Sequence, residues 1–121
     1  MYKDKTLVVF GVSQDPSKYG YKIFVTLLAQ GLTVYGINPK GGQVEGRSLY
    51  TQLADLPARA DIAIMVIPPS GLQEAVGQCI RHQVREIWFQ PGARSAEAYQ
   101  MAAKAQIRAV DGCFMAENGF W

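Results

Sequence analysis

Leu32-Thr33-Val34-Tyr35-Gly36-Ile37-Asn38-Pro39-Lys40 is a short, mostly apolar run that leads into a proline-containing turn. A run of this length that is apolar on both faces is typical of a strand buried in a parallel sheet. Proline has no N–H to donate to a neighbouring strand, so the strand has to end before Pro39. The sequence therefore predicts a buried strand over residues 32–37, followed at once by a turn.

The same kind of run recurs along the chain, which indicates a sheet. Further strands are predicted at residues 6–10, 62–67, 86–90 and 107–110. Amphipathic segments separate them. This alternation is typical of an α/β domain with helices on both faces of a mainly parallel, about five-stranded sheet. The length of 121 residues fits a single domain, 1–121.

Apolar residues at helical spacing predict the helices. The predicted segments are about residues 19–28, residues 71–82, a segment that begins after residue 95 and a short helix within residues 48–53. Gly31 supplies a left-handed cap to the first helix. Ser70 and Gln73 form a capping box at the second. Ser95 precedes the third, with Glu97 in its first turn.

Composition and charge argue against several classes of partner. The formal net charge is only +2 and the basic residues are scattered, so we expect no nucleic-acid partner. No apolar stretch is long enough to span a bilayer, so we expect no membrane partner. Cys79 and Cys113 lie far apart and form no metal-binding spacing, which favours a reducing, cytoplasmic compartment. Cys79 and Trp88 are predicted to be buried, and both a monomer and a homodimer stay open.

The loops after the first four predicted strands are rich in glycine, proline and serine. They span residues 11–20, 38–42, 68–70 and 90–95. The carboxyl ends of parallel strands meet at one edge of a sheet, and ligands of open α/β sheets bind there. We therefore expect a ligand cleft with much exposed backbone at this edge.

The charge that follows the second strand indicates the kind of ligand. In a dinucleotide-binding fold, an acidic residue at this point accepts a hydrogen bond from the ribose 2'-hydroxyl of NAD. Here the nearest charge is Lys40. A lysine suits a ribose phosphate, as in coenzyme A or NADP. The alternative interpretation of Lys40 is an ordinary solvated lysine in a turn.

Residues 11–20 have the composition of a diphosphate-binding loop. The hydroxyls of Ser13 and Ser17, the charge of Lys18 and the amino terminus of the next helix all favour an anion. The spacing of Gly11 and Gly20 matches neither the G-x-G-x-x-G pattern nor a P-loop. Both serines also fit a role as residues that only stabilise a turn.

Taken in order, these loops resemble those of the CoA-binding domain family, a stand-alone version of the nucleotide-binding domain in the α subunit of succinyl-CoA synthetase. The resemblance rests on residues 11–13, 18–20, 37–40, 66–69 and 88–93, and it covers nearly the whole chain. It implies a Rossmann-like, three-layer fold that binds coenzyme A or an acyl-CoA. The binding residues that it implies are Gly11, Ser13, Ser17, Lys18, Tyr19, Gly20, Asn38, Pro39, Lys40, Pro68, Pro69, Gln90, Pro91 and Gly92.

The resemblance also implies a role for each group. Ser13 and residues 17–20 meet the diphosphate, and Lys40 lies by the ribose phosphate. The Pro68-Pro69 pair and residues 90–92 line the path of the adenine and pantetheine groups. An alternative interpretation is that the two prolines simply end the third strand and start the next helix.

The function expected from these residues is non-catalytic binding of coenzyme A or an acyl-CoA, by a carrier, sensor or regulatory module. The single histidine, His82, falls at a helix end far from the loops, and the acidic residues show no paired pattern. We therefore predict no catalytic residue and no ligase chemistry. Two alternatives stay open. One is a small NADP-dependent oxidoreductase, with Lys40 on the 2'-phosphate and Tyr19 or Tyr35 as proton donor. The other is a protein-interaction module with a vestigial nucleotide cleft.

The aromatic C-terminal segment, residues 114–121, is unusually apolar for a tail. It either packs back across the cleft or forms a contact between two copies of the chain. Cys113 precedes this segment, and a mixed disulfide between its thiol and coenzyme A is a further hypothesis.

Overall fold

A computed structural model describes residues 2–121. Within that range the strands are β1 (Thr6–Phe10), β2 (Thr33–Ile37), β3 (Gln43–Val44), β4 (Arg47–Ser48), β5 (Ile62–Met65), β6 (Glu86–Phe89) and β7 (Arg108–Asp111). The α-helices are α1 (Tyr19–Ala29), α2 (Leu72–Arg81), α3 (Ala96–Lys104) and α4 (Phe114–Glu117). The predicted strands of the main sheet and the three longer predicted helices are confirmed, with small shifts at their ends.

Within residues 2–121, five strands form one parallel sheet in the order β2-β1-β5-β6-β7. The chain runs from β1 outward to β2 and then crosses back to β5, so the strand order reverses between β1 and β5. The register places Phe10 beside both Ile37 and Met65, and Met65 beside Phe89. The carboxyl ends of the strands therefore form one level edge, hereafter the carboxyl edge.

Helices cover both faces of the sheet, which gives the predicted three-layer, Rossmann-like architecture. One buried cluster joins the sheet, through Phe89, to residues of α2 and α3. The other joins it, through Trp88, to residues of α1 and α4. Adjacent residues of β6 thus serve opposite faces, as the alternation of side chains along a strand requires. The predicted burial of Trp88 is confirmed.

The predicted short helix within residues 48–53 is wrong. The N–H of Tyr50 donates to the carbonyl oxygen of Gly36 at 2.9 Å, and the N–H of Asn38 donates to that of Tyr50 at 2.9 Å. This bridge to the end of β2 holds the backbone extended, and a 3-10 turn forms only at Leu53–Asp55. The long-range pairing satisfies the backbone groups that a helix would have paired internally, so it overrides the local pattern.

The helix caps follow the sequence in part. The helix α3 begins directly after Ser95, as predicted, and the Oγ of Ser95 caps it by accepting a hydrogen bond of 3.2 Å from the helix backbone. Gly31 has a φ of +77° just beyond α1, as predicted. The predicted capping box at α2 is wrong, since a 3-10 turn over Pro69–Gly71 precedes the helix and Gly71 takes the N-cap position. The fixed φ of proline starts this turn early and leaves Ser70 inside it.

The two cysteines differ in environment. Cys79 is fully buried on α2, as predicted, and burial raises its pKa to about 12. Cys113 is half-buried, and both are free thiols. Of the helices in residues 2–121, none has both the length and the apolar composition that crossing a bilayer requires.

Candidate functional site

The loop over residues 11–20 closes on itself at the point where the strand order reverses. Gly11 has a φ of +102°, a conformation that favours glycine. A β-carbon on Gly11 would overlap the carbonyl oxygen of Val66, just beyond β5, and one on Gly20 would overlap the carbonyl oxygen of Gly11. The two glycines are therefore in contact although their spacing matches neither phosphate-loop pattern. Their contact sets the amino terminus of α1 against the carboxyl edge.

The two serines of this loop stabilise its turns. The Oγ of Ser13 accepts a hydrogen bond of 3.0 Å from the N–H of Asp15. The N–H and the hydroxyl of Ser17 donate to Asp15 Oδ1 at 2.9 and 2.8 Å. These bonds from Ser17, the backbone one first, lower the pKa of Asp15. Ser13 and Ser17 thus stabilise turns, which is one of the two roles that the sequence allowed for them. Asp15 adds a negative charge to the loop, and sequence reasoning did not single it out.

Asn38 joins the loop after β2 to the loop after β1. Its Nδ2 donates to the carbonyl oxygen of Val12 at 2.9 Å, and its Oδ1 accepts from the N–H of Lys40 at 2.9 Å. The carbonyl oxygen of Asn38 accepts from the N–H of Gly41 at 2.8 Å, which closes the turn that contains Pro39. Asn38 is therefore a positioning residue that fixes where Lys40 leaves the sheet.

Two lysines stand exposed beside these loops. In the described part of the chain, the ion pairs join Arg81 with Glu74, Arg94 with Asp111 and Arg108 with Glu86. Lys18 and Lys40 belong to none of these pairs. Their charges are available to an anion that approaches the carboxyl edge.

On the side of α2, the carboxyl edge opens into a pocket of about 350 Å³, the α2-side pocket. It contains three of the predicted site residues: Gly11, Pro39 and Pro68. Its other lining residues are Phe10, Ile37, Thr51, Ile67, Ser70, Gly71, Glu74, Ala75 and Gln78. The walls are mostly apolar, with a few polar groups at the rim, as is typical of small-molecule sites.

On the side of α1, the same edge carries a second pocket of about 260 Å³, the α1-side pocket. It contains three more predicted site residues: Tyr19, Gln90 and Pro91. Its other lining residues are Ile23, Val66, Cys113 and Trp121. Val66 faces this pocket and its neighbour Ile67 faces the α2-side pocket, so the exit of β5 separates the two.

Gln90 anchors the C-terminal segment to the end of β6. It is only 6% exposed. Its Oε1 accepts a hydrogen bond of 2.8 Å from the N–H of Phe114, and its Nε2 donates to Cys113 Sγ at 3.5 Å. The carbonyl oxygen of Gln90 accepts from the N–H of Ala93 at 2.8 Å, which closes the turn through Pro91. Gln90 thus both lines the α1-side pocket and fixes its C-terminal wall.

The structure brings the predicted site residues to one edge but gives them different places. Six line the two pockets, and Gly20 packs beneath the first loop. The remaining seven lie in the loops and turns around the pockets: Ser13, Ser17, Lys18, Asn38, Lys40, Pro69 and Gly92. Sequence reasoning did not identify Thr51 and Gln78 as lining residues. Thr51 lies in segment 48–53, which was wrongly predicted to be a helix, and Gln78 occupies an ordinary position of α2 that carries no distinctive signal.

Larger hollows lie at the opposite edge of the sheet. One of about 420 Å³ is lined by Arg59, His82 and their neighbours, and one of about 540 Å³ by Arg85 and others. They lie at the amino ends of the strands, where open α/β sheets do not hold their ligands. Among residues 2–121 there is no group of three or more His, Cys, Asp or Glu side chains that could hold a metal.

Comparison with known proteins shows the family to which this chain belongs. The family model for the CoA binding domain matches residues 5–119. The chain is 32% identical over 79 residues to the acetate–CoA ligase (ADP-forming) II subunit alpha of Pyrococcus furiosus, a match that covers 64% of this chain and 17% of that subunit. The chain spans between 12% and 20% of the length of the curated relatives that it matches.

Solved structures share the fold. A hypothetical protein from Pyrococcus horikoshii superimposes with a TM-score of 0.90 at 29% identity, covering 95% of this chain and 82% of that one. A conserved hypothetical protein from Pyrococcus furiosus superimposes with a TM-score of 0.85 at 31% identity, covering 93% of this chain and 98% of that one. Since the family model spans nearly all of the sequence and the fold agrees, this chain belongs to the CoA-binding domain family.

Proposed function

We propose that this chain binds coenzyme A or an acyl-CoA at the carboxyl edge and performs no chemistry on it, as a carrier, sensor or regulatory module. The observation that carries the proposal is the contact between Gly11 and Gly20. It brings a backbone loop and the amino terminus of α1 to the point between two pockets where the strand order reverses. Helix amino termini favour anions because their first N–H groups lack partners within the helix.

In the proposed complex the ligand extends across the carboxyl edge. The diphosphate lies against residues 11–20, close to Lys18. The adenine enters the α2-side pocket, where Ile37 and Ile67 offer apolar surface to a purine ring, and the ribose phosphate lies by Lys40. The pantetheine group extends the opposite way, toward the α1-side pocket. In this arrangement the adenine ring meets the apolar walls of the α2-side pocket, and the pantetheine group meets those of the α1-side pocket.

The titratable groups at this edge support binding rather than catalysis. Asp15 is held by Ser17 with a lowered pKa, which makes it a poor general base. His82 lies at the end of α2, at the other edge of the sheet. Tyr35, a proton donor that the oxidoreductase alternative would use, packs in β2 against Tyr50, with ring centroids 5.9 Å apart. Of the two tyrosines, only Tyr19 lines a pocket, and no histidine or carboxylate side chain is among the described residues that line that pocket with it. This composition favours the binding module over the oxidoreductase.

The proposed role is limited to the part of the ligases that this chain matches. The acetate–CoA ligases are several times longer than the matched segment, so their overall activity is not part of the proposal. We place the role in the cytoplasm, where a reducing environment keeps Cys79 and Cys113 as thiols.

Calorimetric titration of the purified protein with coenzyme A, dephospho-CoA and NADP at fixed salt tests this function. We expect saturable binding of coenzyme A and weaker binding of dephospho-CoA, because the latter lacks the ribose phosphate that Lys40 is proposed to contact. Binding of NADP without coenzyme A would favour the oxidoreductase instead. Binding of none of the three would contradict the proposal.

A further inference from the structure

Two exposed aromatic side chains border the α1-side pocket on its solvent side. Tyr19 begins α1 and Trp121 ends the described chain, and their ring centroids lie 6.5 Å apart at an interplanar angle of 33°. Each is largely exposed for its size, at 70% and 49% respectively. Both rings therefore offer apolar surface to a molecule that enters the pocket. The pair therefore forms a wall whose inner side faces the pocket.

The C-terminal segment holds Trp121 in this position through buried contacts. Phe114 is fully buried and stacks on Phe120, with centroids 5.9 Å apart, and it also meets the edge of Trp88 at 5.3 Å. The N–H of Phe120 donates to the carbonyl oxygen of Met115 at 2.8 Å. Trp121 directly follows these anchored residues, so its place at the pocket is built into the packing of α4. The segment thus packs back toward the carboxyl edge, one of the two arrangements that the sequence left open.

The chemistry of the pocket suits an apolar group. Among the described residues that line it, none has an acidic or basic side chain. Its buried polar side chain, Gln90, is already engaged by Phe114 and Cys113. The remaining surface comes from Ile23, Val66, Pro91, the thiol of Cys113 and the two aromatic rings. A carboxylate that entered this pocket would lose its hydration without gaining a cationic partner, and that loss is costly.

The size of the pocket limits its occupant. Its volume is about 260 Å³, whereas an apolar cavity of roughly 150 Å³ holds a molecule as large as benzene. The pocket therefore has room for the sulfur end of a pantetheine chain together with an acyl group of a few carbons. A long fatty-acyl chain would not fit inside it.

We propose that the α1-side pocket receives the thioester end of an acyl-CoA whose acyl group is short and apolar. The inference rests on the proposed function, because it needs the diphosphate of the same ligand to lie at residues 11–20. Tyr19 belongs both to the end of that loop and to the pocket wall, and Val66 contacts Gly11 while it lines the pocket. The pocket is thus continuous with the proposed diphosphate position.

Calorimetric titration with a series of thioesters tests this inference. The series consists of coenzyme A, acetyl-CoA, isovaleryl-CoA, malonyl-CoA and palmitoyl-CoA. We expect isovaleryl-CoA to bind at least about tenfold more tightly than acetyl-CoA, since its three additional carbons enter an apolar pocket. Malonyl-CoA should bind more weakly than acetyl-CoA because its carboxylate meets no cation, and palmitoyl-CoA should gain nothing over isovaleryl-CoA.

Two substitutions of Trp121 connect the preference to the pocket. Trp121→Ala removes the outer wall, so it should weaken the binding of isovaleryl-CoA more than that of coenzyme A and reduce their affinity ratio to within about threefold. Trp121→Phe keeps an aromatic wall and should restore most of the ratio. Tyr99→Ala is the matched control, because Tyr99 is a half-exposed aromatic residue on α3 outside both pockets. It should leave the ratio unchanged.

The outcomes separate the inference from the proposed function. Binding of coenzyme A with no preference among the thioesters, or with a preference for malonyl-CoA, would overturn the inference and leave the proposed function intact. A preference for isovaleryl-CoA that survives Trp121→Ala would also overturn it, since the acyl group would then lie elsewhere. Failure of every member of the series to bind would overturn both.

Discussion

Gly20 packs directly on the carbonyl oxygen of Gly11, so the first turn of α1 lies against the end of β1. The loop between them leaves the end of β1 at Gly11 and returns to it at Gly20. The absence of a β-carbon on either residue lets the two backbone segments come into direct contact. Closely spaced glycines allow the same close approach of helix and strand in a dinucleotide-binding turn.

Replacement of Gly20 should be costly for stability. The β-carbon of Gly20→Ala would overlap main-chain atoms that cannot rotate away, so we expect a loss of about 1–3 kcal/mol in the free energy of unfolding. Urea unfolding measures it. Gly77→Ala in α2 is the matched control, because Gly77 is also helical and its new β-carbon would meet only the flexible end of Arg81. The free energy of unfolding of Gly77→Ala should rise by up to about 1 kcal/mol, because alanine has the higher helix propensity. Equal changes in the free energy of unfolding for the two variants would contradict the contact between Gly20 and Gly11.

Lys40 should discriminate between ligands by their ribose phosphate. We expect Lys40→Glu to weaken coenzyme A binding by about 1–3 kcal/mol, because a charge-assisted hydrogen bond is lost and repulsion is added. Dephospho-CoA should respond much less. Lys104→Glu makes the same change of charge at the end of α3 and should leave both affinities nearly unchanged. Equal losses for the two ligands, or no loss at all, would remove Lys40 from the site.

Gln90 should act as a structural link as well as a lining residue. Gln90→Ala leaves the buried N–H of Phe114 without its acceptor, which we expect to cost about 1–3 kcal/mol in the free energy of unfolding. The released C-terminal segment should also shift the fluorescence of Trp121 toward that of a water-exposed indole. Gln100→Ala, at an exposed position of α3, provides the control. A native-like spectrum and stability in Gln90→Ala would show that the link is dispensable.

The two thiols should react at very different rates. Burial raises the pKa of Cys79 to about 12, so at pH 8 it stays protonated and shielded, whereas Cys113 lines the α1-side pocket. With the disulfide of coenzyme A as reagent, the Cys113 thiolate would attack one sulfur, form a mixed disulfide and release one coenzyme A thiolate. Mass spectrometry should find one adduct in the wild type and none in Cys113→Ser. An adduct on Cys79 would contradict the assignment.

The sequence alone was sufficient to predict the sheet and to place the candidate loops at its carboxyl edge. Apolar runs such as residues 6–10 are continuous because both faces of the sheet are covered, so their positions follow from burial alone. The loops that carry Gly11, Asn38 and Gln90 could then be assigned to the same edge. That assignment depends only on the parallel direction of the strands.

What the sequence could not supply depends on long-range contacts. The extended backbone at Tyr50 follows from pairing with the end of β2, which no local pattern records. The contact of Gly11 with Gly20 requires the intervening loop to fold back, and the position of Trp121 requires the packing of Phe114. Only the tertiary structure could therefore identify Thr51 and Trp121 as residues that line the pockets.

Amide chemical-shift mapping during titration with coenzyme A locates the ligand on the chain, so it is the sharpest test of binding at the carboxyl edge. We expect the largest shifts in residues 11–20, 38–42, 66–71 and 90–92, all at the carboxyl edge. Shifts concentrated around Arg59, His82 and Arg85 at the amino ends of the strands would contradict it, and so would the absence of any shift at saturating ligand.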